Sequence, residues 1–189
     1  MPCGRAWTTL ARCPHLHSAN NSNNGATVFV NNIASGSTPV TVFGAGGGDA
    51  IVNDNAIGNI LVATTGNTTL NASGSGGGNI FFDSAGAGTS VTMVGGQFYN
   101  YFVAGAGNAT MEGGQGPNSH NFFQFTNGAA GGNDLSTKWT SNDNLDFYGY
   151  GSAAPSQSAG NGGVLFTLSD GTKITVSGVS SIPASQIHG

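Results

Sequence analysis

The sequence predicts an all-β protein in which short strands stack into a solenoid. Short apolar or β-branched runs recur from Thr27 to Phe125 at a mean step of roughly ten residues, a period typical of repeat architectures. Each run is bounded by Gly, Asn or Ser, which are turn residues. The chain has 33 Gly and 21 Asn among 189 residues, and both types favour turns over long helices. Two strands per coil predict about twenty residues per coil and about five coils.

The predicted strands have their centres at ten positions: Phe29, Thr41, Ile51, Leu61, Leu70, Phe81, Thr92, Phe102, Thr110 and Phe123. Each strand is too short to be stable alone, but stacking on the next coil at about 4.8 Å pairs its backbone groups. Alternate apolar side chains then point into the space between two sheets. Six apolar side chains are expected to point inward: Val40, Val42, Ile51, Phe81, Val91 and Met93.

We divide the chain into three parts. Residues 1–25 are expected to form an N-terminal tail, a linker or an assembly segment. Residues 26–126 are expected to form the solenoid, and residues 127–189 a β-rich C-terminal cap. Cys3 and Cys13 both lie in the first part, where a disulfide and two incidental thiols are the alternatives.

The clearest hairpin pattern lies in the predicted cap. Strand-like runs at 164–169 and 172–176 flank Asp170-Gly171. An Asp-Gly pair between two such runs is a strong signal for a two-residue turn of type I′. We therefore expect an antiparallel hairpin with this turn.

Composition excludes several classes of function. The net charge is −4, and only 6% of residues are charged. The fixed cations are Arg5, Arg12, Lys138 and Lys173. Binding to nucleic acid needs clustered cations, so it is not expected. No apolar run approaches the ~18 residues of a membrane span. The chain has no G-x-S-x-G, H-E-x-x-H or P-loop motif, so we expect no enzymatic activity.

One nine-residue pattern recurs with changes. Residues 44–52 read G-A-G-G-G-D-A-I-V, which is close to the calcium-binding repeat G-G-x-G-x-D-x-U-x, where U is a large apolar residue. Four later copies keep most of the glycines but replace the acid. The acid position is occupied in turn by Asp49, Asn79, Asn100, Ala109 and Asn118. The pattern therefore predicts the coil more strongly than it predicts the ligand.

These repeats resemble those of the RTX (repeats-in-toxin) calcium β-roll family. Residues 122–151 and 165–175 are similar to the C-terminal region that follows degenerate RTX repeats in secreted bacterial proteins. The resemblance extends over residues 40–185 and does not include the first 25. It implies a β-roll, Ca²⁺ as a cofactor, and export by type I secretion with an uncleaved C-terminal signal.

The resemblance also implies a set of calcium ligands. In the family, the repeat acids and the backbone carbonyls of adjacent turns hold Ca²⁺. Six residues are the candidate Ca²⁺ ligands: Asp49, Asp54, Asn79, Asp83, Asn100 and Asn118. An Asn offers a carbonyl oxygen without a negative charge, so binding is expected to be weak or partial. In the alternative interpretation, the Asn side chains cap turns and form stacked amide hydrogen bonds along the solenoid edge.

The expected function is that of a secreted, extracellular structural or adhesive module. An open solenoid end exposes unpaired backbone groups, and low charge reduces repulsion between copies. Self-association into fibres or a surface or matrix layer would use both properties, and cell-surface partners are the alternative. The second hypothesis is a Ca²⁺-dependent RTX β-roll that serves as the secretion and folding module of a larger effector.

Two further groups of residues suggest minor alternatives. Ice binding would use threonines on or next to strands: Thr41, Thr65, Thr69, Thr92 and Thr110. Unequal steps between the strands are expected to disrupt a regular threonine lattice. Asp134, Asp143 and Asp146 cluster with Asn residues, but the segment lacks the Gly and the distal Glu of an EF-hand loop. We interpret these three as surface turn acids, with a metal site as the alternative.

Overall fold

The computed structural model describes residues 27–32, 39–44, 46–54, 56–151, 155–160 and 162–189. Nearly all regular structure in these ranges is β, which confirms the predicted fold class. The predicted N-terminal segment, with Cys3 and Cys13, lies outside the described residues. Within the described ranges, no helix has the length and apolar character needed to cross a bilayer.

The strands form two sheets. Sheet A consists of β1 (Val28–Asn32), β3 (Ala50–Asp54), β5 (Thr68–Asn71), β7 (Ser90–Val94), β9 (Asn108–Glu112), β11 (Asn133–Thr137), β15 (Lys173–Ser177), β14 (Gly163–Thr167) and β13 (Gln157–Gly160), in this spatial order. Sheet B consists of β16 (Ile187–His188), β12 (Asn144–Tyr148), β10 (Asn121–Thr126), β8 (Asn100–Val103), β6 (Asn79–Asp83), β4 (Ile60–Ala63) and β2 (Thr41–Gly44). A short 3-10 turn at Ala184–Gln186 precedes β16.

Consecutive strands alternate between the two sheets from β1 to β12, and each pairs in parallel with strands two positions away along the chain. This is the topology of a β-solenoid with about five turns. All ten predicted strand centres lie within β1 to β10. Parallel stacking continues beyond residue 126, because β11, β12, β15 and β16 extend both sheets. Among the strands in the described ranges, only β14 pairs in antiparallel fashion, with β13 and β15.

The core lies between the two sheets and is built from side chains repeated at one position per coil. Phe81, Phe102 and Phe123 pair in register on β6, β8 and β10 and are fully buried. Their ring centroids are 4.8 and 5.1 Å apart. Trp139 ends this stack at 5.6 Å from Phe123. The rings stack because neighbouring coils place them about one strand spacing apart.

Most of the predicted inward positions are confirmed. Val42, Phe81, Val91 and Met93 are buried, and Val40 packs partly buried against the core. The prediction for Ile51 is wrong, because its neighbours Ala50 and Val52 occupy the core positions of β3. Side chains alternate along a strand, so an error of one residue in phase exchanges the two faces.

The hairpin is confirmed, but its predicted turn is wrong. Thr167 pairs with Lys173 across β14 and β15, which leaves a five-residue connection. Within it, the Gly171 N–H donates to the Leu168 carbonyl at 3.1 Å, and Gly171 has a φ of 92°. A type I′ turn would also place Asp170 at positive φ, and Lys138 is the only described non-glycine residue there. The geometry fits a three-residue loop that closes with a left-handed glycine.

Candidate functional site

The outer face of sheet B carries an array of apolar side chains, which we call the apolar face. Its first row runs across five paired strands: Thr41, Ile60, Ile80, Tyr101 and Phe122. Its second row runs parallel to the first: Phe43, Val62, Phe82, Val103 and Gln124. None of these ten side chains is charged. The structure therefore places eight apolar or aromatic residues on the outer face of one sheet.

The apolar face is accessible and has aromatic residues at its margin. Phe82 is 37% exposed, and nearby Tyr99 is 55% exposed. The ring of Tyr99 stacks on His120 at 5.5 Å, and His120 stacks on Phe122 at 4.7 Å. This aromatic series extends the first row beyond the edge of the strands.

The face becomes polar towards its C-terminal end. The Tyr101 hydroxyl donates to Oε1 of Gln124, and burial raises the pKa of Tyr101 to about 12. One coil further, Asp146 Oδ1 lies 3.1 Å from His188 Nδ1. Burial raises the pKa of Asp146, while His188 opposes that rise. The apolar surface is thus bounded at one end by a hydrogen-bonded polar pair.

The outer face of sheet A is more polar and contains a threonine row. Thr69, Thr92 and Thr110 pair directly with one another on β5, β7 and β9. The number of residues between successive strands varies, but this does not disturb the row. Parallel pairing sets the spacing between coils, and the turns differ in length instead. The expected loss of regularity is therefore wrong for these three residues. Thr41 lies on sheet B, and Thr65 lies in a turn.

A ladder of buried side-chain amides runs along one edge of sheet B; we call it the amide ladder. It consists of Asn59, Asn79, Asn100 and Asn121 and ends at Asp143. Each Asn Nδ2 donates to the side-chain oxygen of the next member at 3.0, 3.1, 2.9 and 2.9 Å. All five side chains are at most 1% exposed. The interpretation of stacked amides therefore matches the observed environment of Asn79 and Asn100.

Both ends of the amide ladder are satisfied. At the first coil, the Val40 N–H donates to Asn59 Oδ1 at 3.0 Å. At the last coil, Asp143 Oδ2 accepts the Thr140 N–H at 2.8 Å, and Oδ1 accepts the Asn121 N–H at 2.7 Å. Burial raises the pKa of Asp143, while these hydrogen bonds lower it. Each Asn side chain donates a hydrogen bond to the next member of the ladder. The Asp143 carboxylate only accepts hydrogen bonds, so it can be the last member.

Sequence reasoning missed three members of the ladder, namely Asn59, Asn121 and Asp143. The sequence does contain a signal for them: successive ladder members lie 20, 21, 21 and 22 residues apart, which is the length of one coil. The nonapeptide alignment instead selected Asn118, which is exposed in the turn before β10. The strand start, and not the glycine pattern, defines the ladder position.

The predicted calcium ligands do not form one group. Asp49 is half-buried beside β3, and its Oδ1 accepts the Thr69 N–H at 2.8 Å. Asp54 ends β3, and its side chain lies outside what is described. Asn79 lies in the ladder, whereas Asp83 lies at the opposite end of β6. Among the described residues, no three His, Cys, Asp or Glu side chains come together. Calcium binding at these residues stays a prediction.

Two buried carboxyl groups, Asp83 and Asp134, lack a partner for one oxygen each. Asp83 is 6% exposed and Asp134 is 2% exposed. In the described part of the chain, neither Oδ2 atom has a hydrogen-bond partner. Burial raises the pKa of Asp83 and raises that of Asp134 to about 7, where the charge of Asp83 adds to the effect.

The interpretation of three acids as surface turn residues is wrong. Asp134, Asp143 and Asp146 are all buried, at 2%, 0% and 6% exposure. Asp134 is the second residue of β11, Asp143 immediately precedes β12, and Asp146 is the middle residue of β12. The alternating Asn and Asp pattern therefore belongs to these strands and not to a solvent loop.

Comparison with known proteins identifies no family for this chain. No protein-family model matches this chain, and no curated protein matches it. The chain is a β-solenoid compatible with a β-roll.

Proposed function

We propose that this protein is a secreted, extracellular structural or adhesive module that associates with further copies of itself. The observation that carries the proposal is the apolar face of sheet B. Monomeric proteins rarely expose contiguous apolar patches larger than a few hundred Å². Association would remove the face from water without burying a charged group, since its ten side chains are uncharged.

The size of the face is adequate for a weak specific interface. Five strands at about 4.8 Å and a width of about 20 Å, including the aromatic margin, give about 500 Å² per copy. Two such faces would bury about 1,000 Å² in total, which is at the lower end of specific interfaces. Two sheets also pack face to face in β-sandwiches. A second copy of the chain therefore fits the geometry.

Extracellular location rests on the resemblance to RTX proteins. The hairpin of β14 and β15 contains the segment 165–175 that carries part of that resemblance. Under this proposal, export uses a type I secretion signal near the C-terminus. A reporter fused upstream of residues 127–189 and expressed with a type I exporter would reach the medium. Retention of the reporter in the cell would contradict this part of the proposal.

Self-association is tested by light scattering and electron microscopy at rising protein concentration. Phe82→Glu places a charge in the apolar face, and Thr92→Glu places the same charge on sheet A as a matched control. We expect the mass of the wild type and of the control to rise with concentration, while Phe82→Glu stays monomeric. A wild type that is monomeric throughout would refute self-association. Equal loss in both variants would show that added charge, and not this face, controls assembly.

A second candidate is a Ca²⁺-dependent β-roll that acts as the secretion and folding module of a larger effector. The unpartnered oxygens of Asp83 and Asp134 favour it, because buried carboxylates commonly bind cations. Circular dichroism with and without chelator separates the two candidates. A chain that folds only after Ca²⁺ is added supports the second, and a chain folded in chelator supports the first.

Ice binding is a minor alternative that rests on the row of Thr69, Thr92 and Thr110. The row is short, since the next paired position is Leu135. Thermal hysteresis of the purified chain, compared with Thr92→Glu, tests it. Its absence in the wild type would exclude this activity.

A further inference from the structure

Two carboxyl groups from different coils reach the same corner of the solenoid, where residues 104–107 join β8 to β9. Asp83 lies one coil before it, and its Oδ1 accepts the Ala85 N–H at 2.9 Å. The same oxygen lies beside Gly105, where an added Cβ would come within 2.9 Å of it. Asp134 lies one coil after it, and its Oδ1 accepts the Ala109 N–H at 2.8 Å. The middle coil is therefore held between two acids.

Both acids occupy inward positions of their strands. The burial alternation places Asp83 on the same side of β6 as Phe81, and Asp134 on the same side of β11 as Ser136. In the middle coil, the corresponding inward residues at the corner are Ala104 and Ala109, which are 2% and 1% exposed. The middle coil therefore has small side chains at both of the positions that correspond to the two acids.

The charge of this pair is not compensated by protein groups in the described ranges. Lys138 pairs with Glu112, and Lys173 is exposed. Two buried carboxylates without a counter-charge would be strongly unfavourable. Protonation would remove charge, but a buried carboxyl O–H needs an acceptor, and neither Oδ2 has a partner there. A cation bound by both carboxylates would give each Oδ2 atom a partner.

We propose that Asp83 and Asp134 bind one divalent cation of the calcium type between three consecutive coils. Oxygen-only donors suit this class of ion. Ca²⁺ takes about six to eight oxygens, so carbonyls of the turn and water would complete the shell. The site differs from one in the glycine turns, because its ligands are inward-facing strand residues. Occupation would tie the coils of β6, β8 and β11 together.

The test is calorimetric titration of CaCl₂ into the chelator-treated chain. We compare Asp83→Asn and Asp134→Asn, which keep a side-chain oxygen for the backbone N–H donors, with Asp146→Asn, a buried acid outside the site. Asp49→Asn probes the turn predicted from the nonapeptide. We expect one Ca²⁺ per wild-type chain and an affinity at least about tenfold lower in the first two variants. Asp146→Asn and Asp49→Asn are expected to bind as the wild type does.

Three results would overturn this assignment. The first is a wild type that binds no Ca²⁺ at millimolar concentration. The second is binding that is lost in Asp49→Asn and kept in Asp134→Asn, which would place the ion in the glycine turn. The third uses no variant and so does not depend on their folding. Ca²⁺ is expected to slow amide exchange at Gly105 and Ala109 in the wild type, and unchanged exchange there would contradict the site.

Discussion

Replacing Asn100 with Ala should break the amide ladder at its middle. The Asn100 side chain has five polar contacts, three of them shared between the two hydrogens of Nδ2, and is 1% exposed. Its Oδ1 accepts the Gly96 N–H at 2.9 Å, and its Nδ2 donates to the Phe98 carbonyl at 2.7 Å. It also links Asn79 to Asn121. The variant removes all of these contacts without adding bulk.

The expected loss of stability depends on which hydrogen-bonding partners of Asn100 are left without another partner. Asn79 Nδ2 still donates to Ser75 Oγ, and Asn121 Oδ1 still accepts the Gly114 N–H. The Gly96 N–H loses its side-chain acceptor, and a buried unsatisfied donor costs about 1–3 kcal/mol. Two lost ladder bonds contribute about 1 kcal/mol each. We therefore expect the free energy of unfolding to fall by about 3–5 kcal/mol.

Urea unfolding followed by circular dichroism measures this loss, and Asn118→Ala is the matched control. Asn118 held the same position in the nonapeptide alignment but is exposed, so its change should stay within about 0.5 kcal/mol. Equal losses in the two variants would refute the ladder account. Asn100→Asp adds a further check, because it removes the donors but supplies a carboxylate. If Asn100→Asp is more stable than the wild type in the presence of Ca²⁺, residue 100 is a calcium-ligand position instead.

Three more outcomes follow from the same structure. In chelator, the folded chain holds the Asp134 proton with a pKa of about 7, against about 3.9 when unfolded. The free energy of unfolding should therefore fall by up to about 4 kcal/mol as the pH rises from about 4 to about 7. Urea midpoints across this range check the sign, and a rise would contradict it. Gly114→Ala should lower the unfolding midpoint, since an added Cβ would overlap the Gly96 carbonyl oxygen, whereas Gly86→Ala has open space and should be neutral. Phe102→Ala should cost about 3–5 kcal/mol in the same assay, because its ring stacks on both neighbours in the core.

The strand positions could be predicted from the sequence because two signals agree there. Apolar runs and glycine or Asn breaks recur together, so every predicted centre from Phe29 to Phe123 falls in a strand. Which alternate residues of a strand face the core is harder to predict from the sequence. The prediction of Ile51 as a core residue is wrong for this reason. In β3 both sides of the alternation are apolar, so hydrophobicity alone does not distinguish the inner from the outer face. The same ambiguity hid the apolar face, whose outward residues are as apolar as the core.

The amide ladder explains why counting from glycine located only some of the polar positions. Asn79 and Asn100 start β6 and β8, so the acid position of their nonapeptide copies coincides with the first residue of those strands. Before β10, the turn is longer, and the same count reaches Asn118 in place of Asn121. Pairing between coils is a relation between strands, so an insertion in a turn shifts the count but leaves the register intact. In a degenerate repeat, the spatial period is therefore better preserved at the strand start than in the turn motif. This strand-start position is identified by an Asn or Asp that recurs once per coil and is buried.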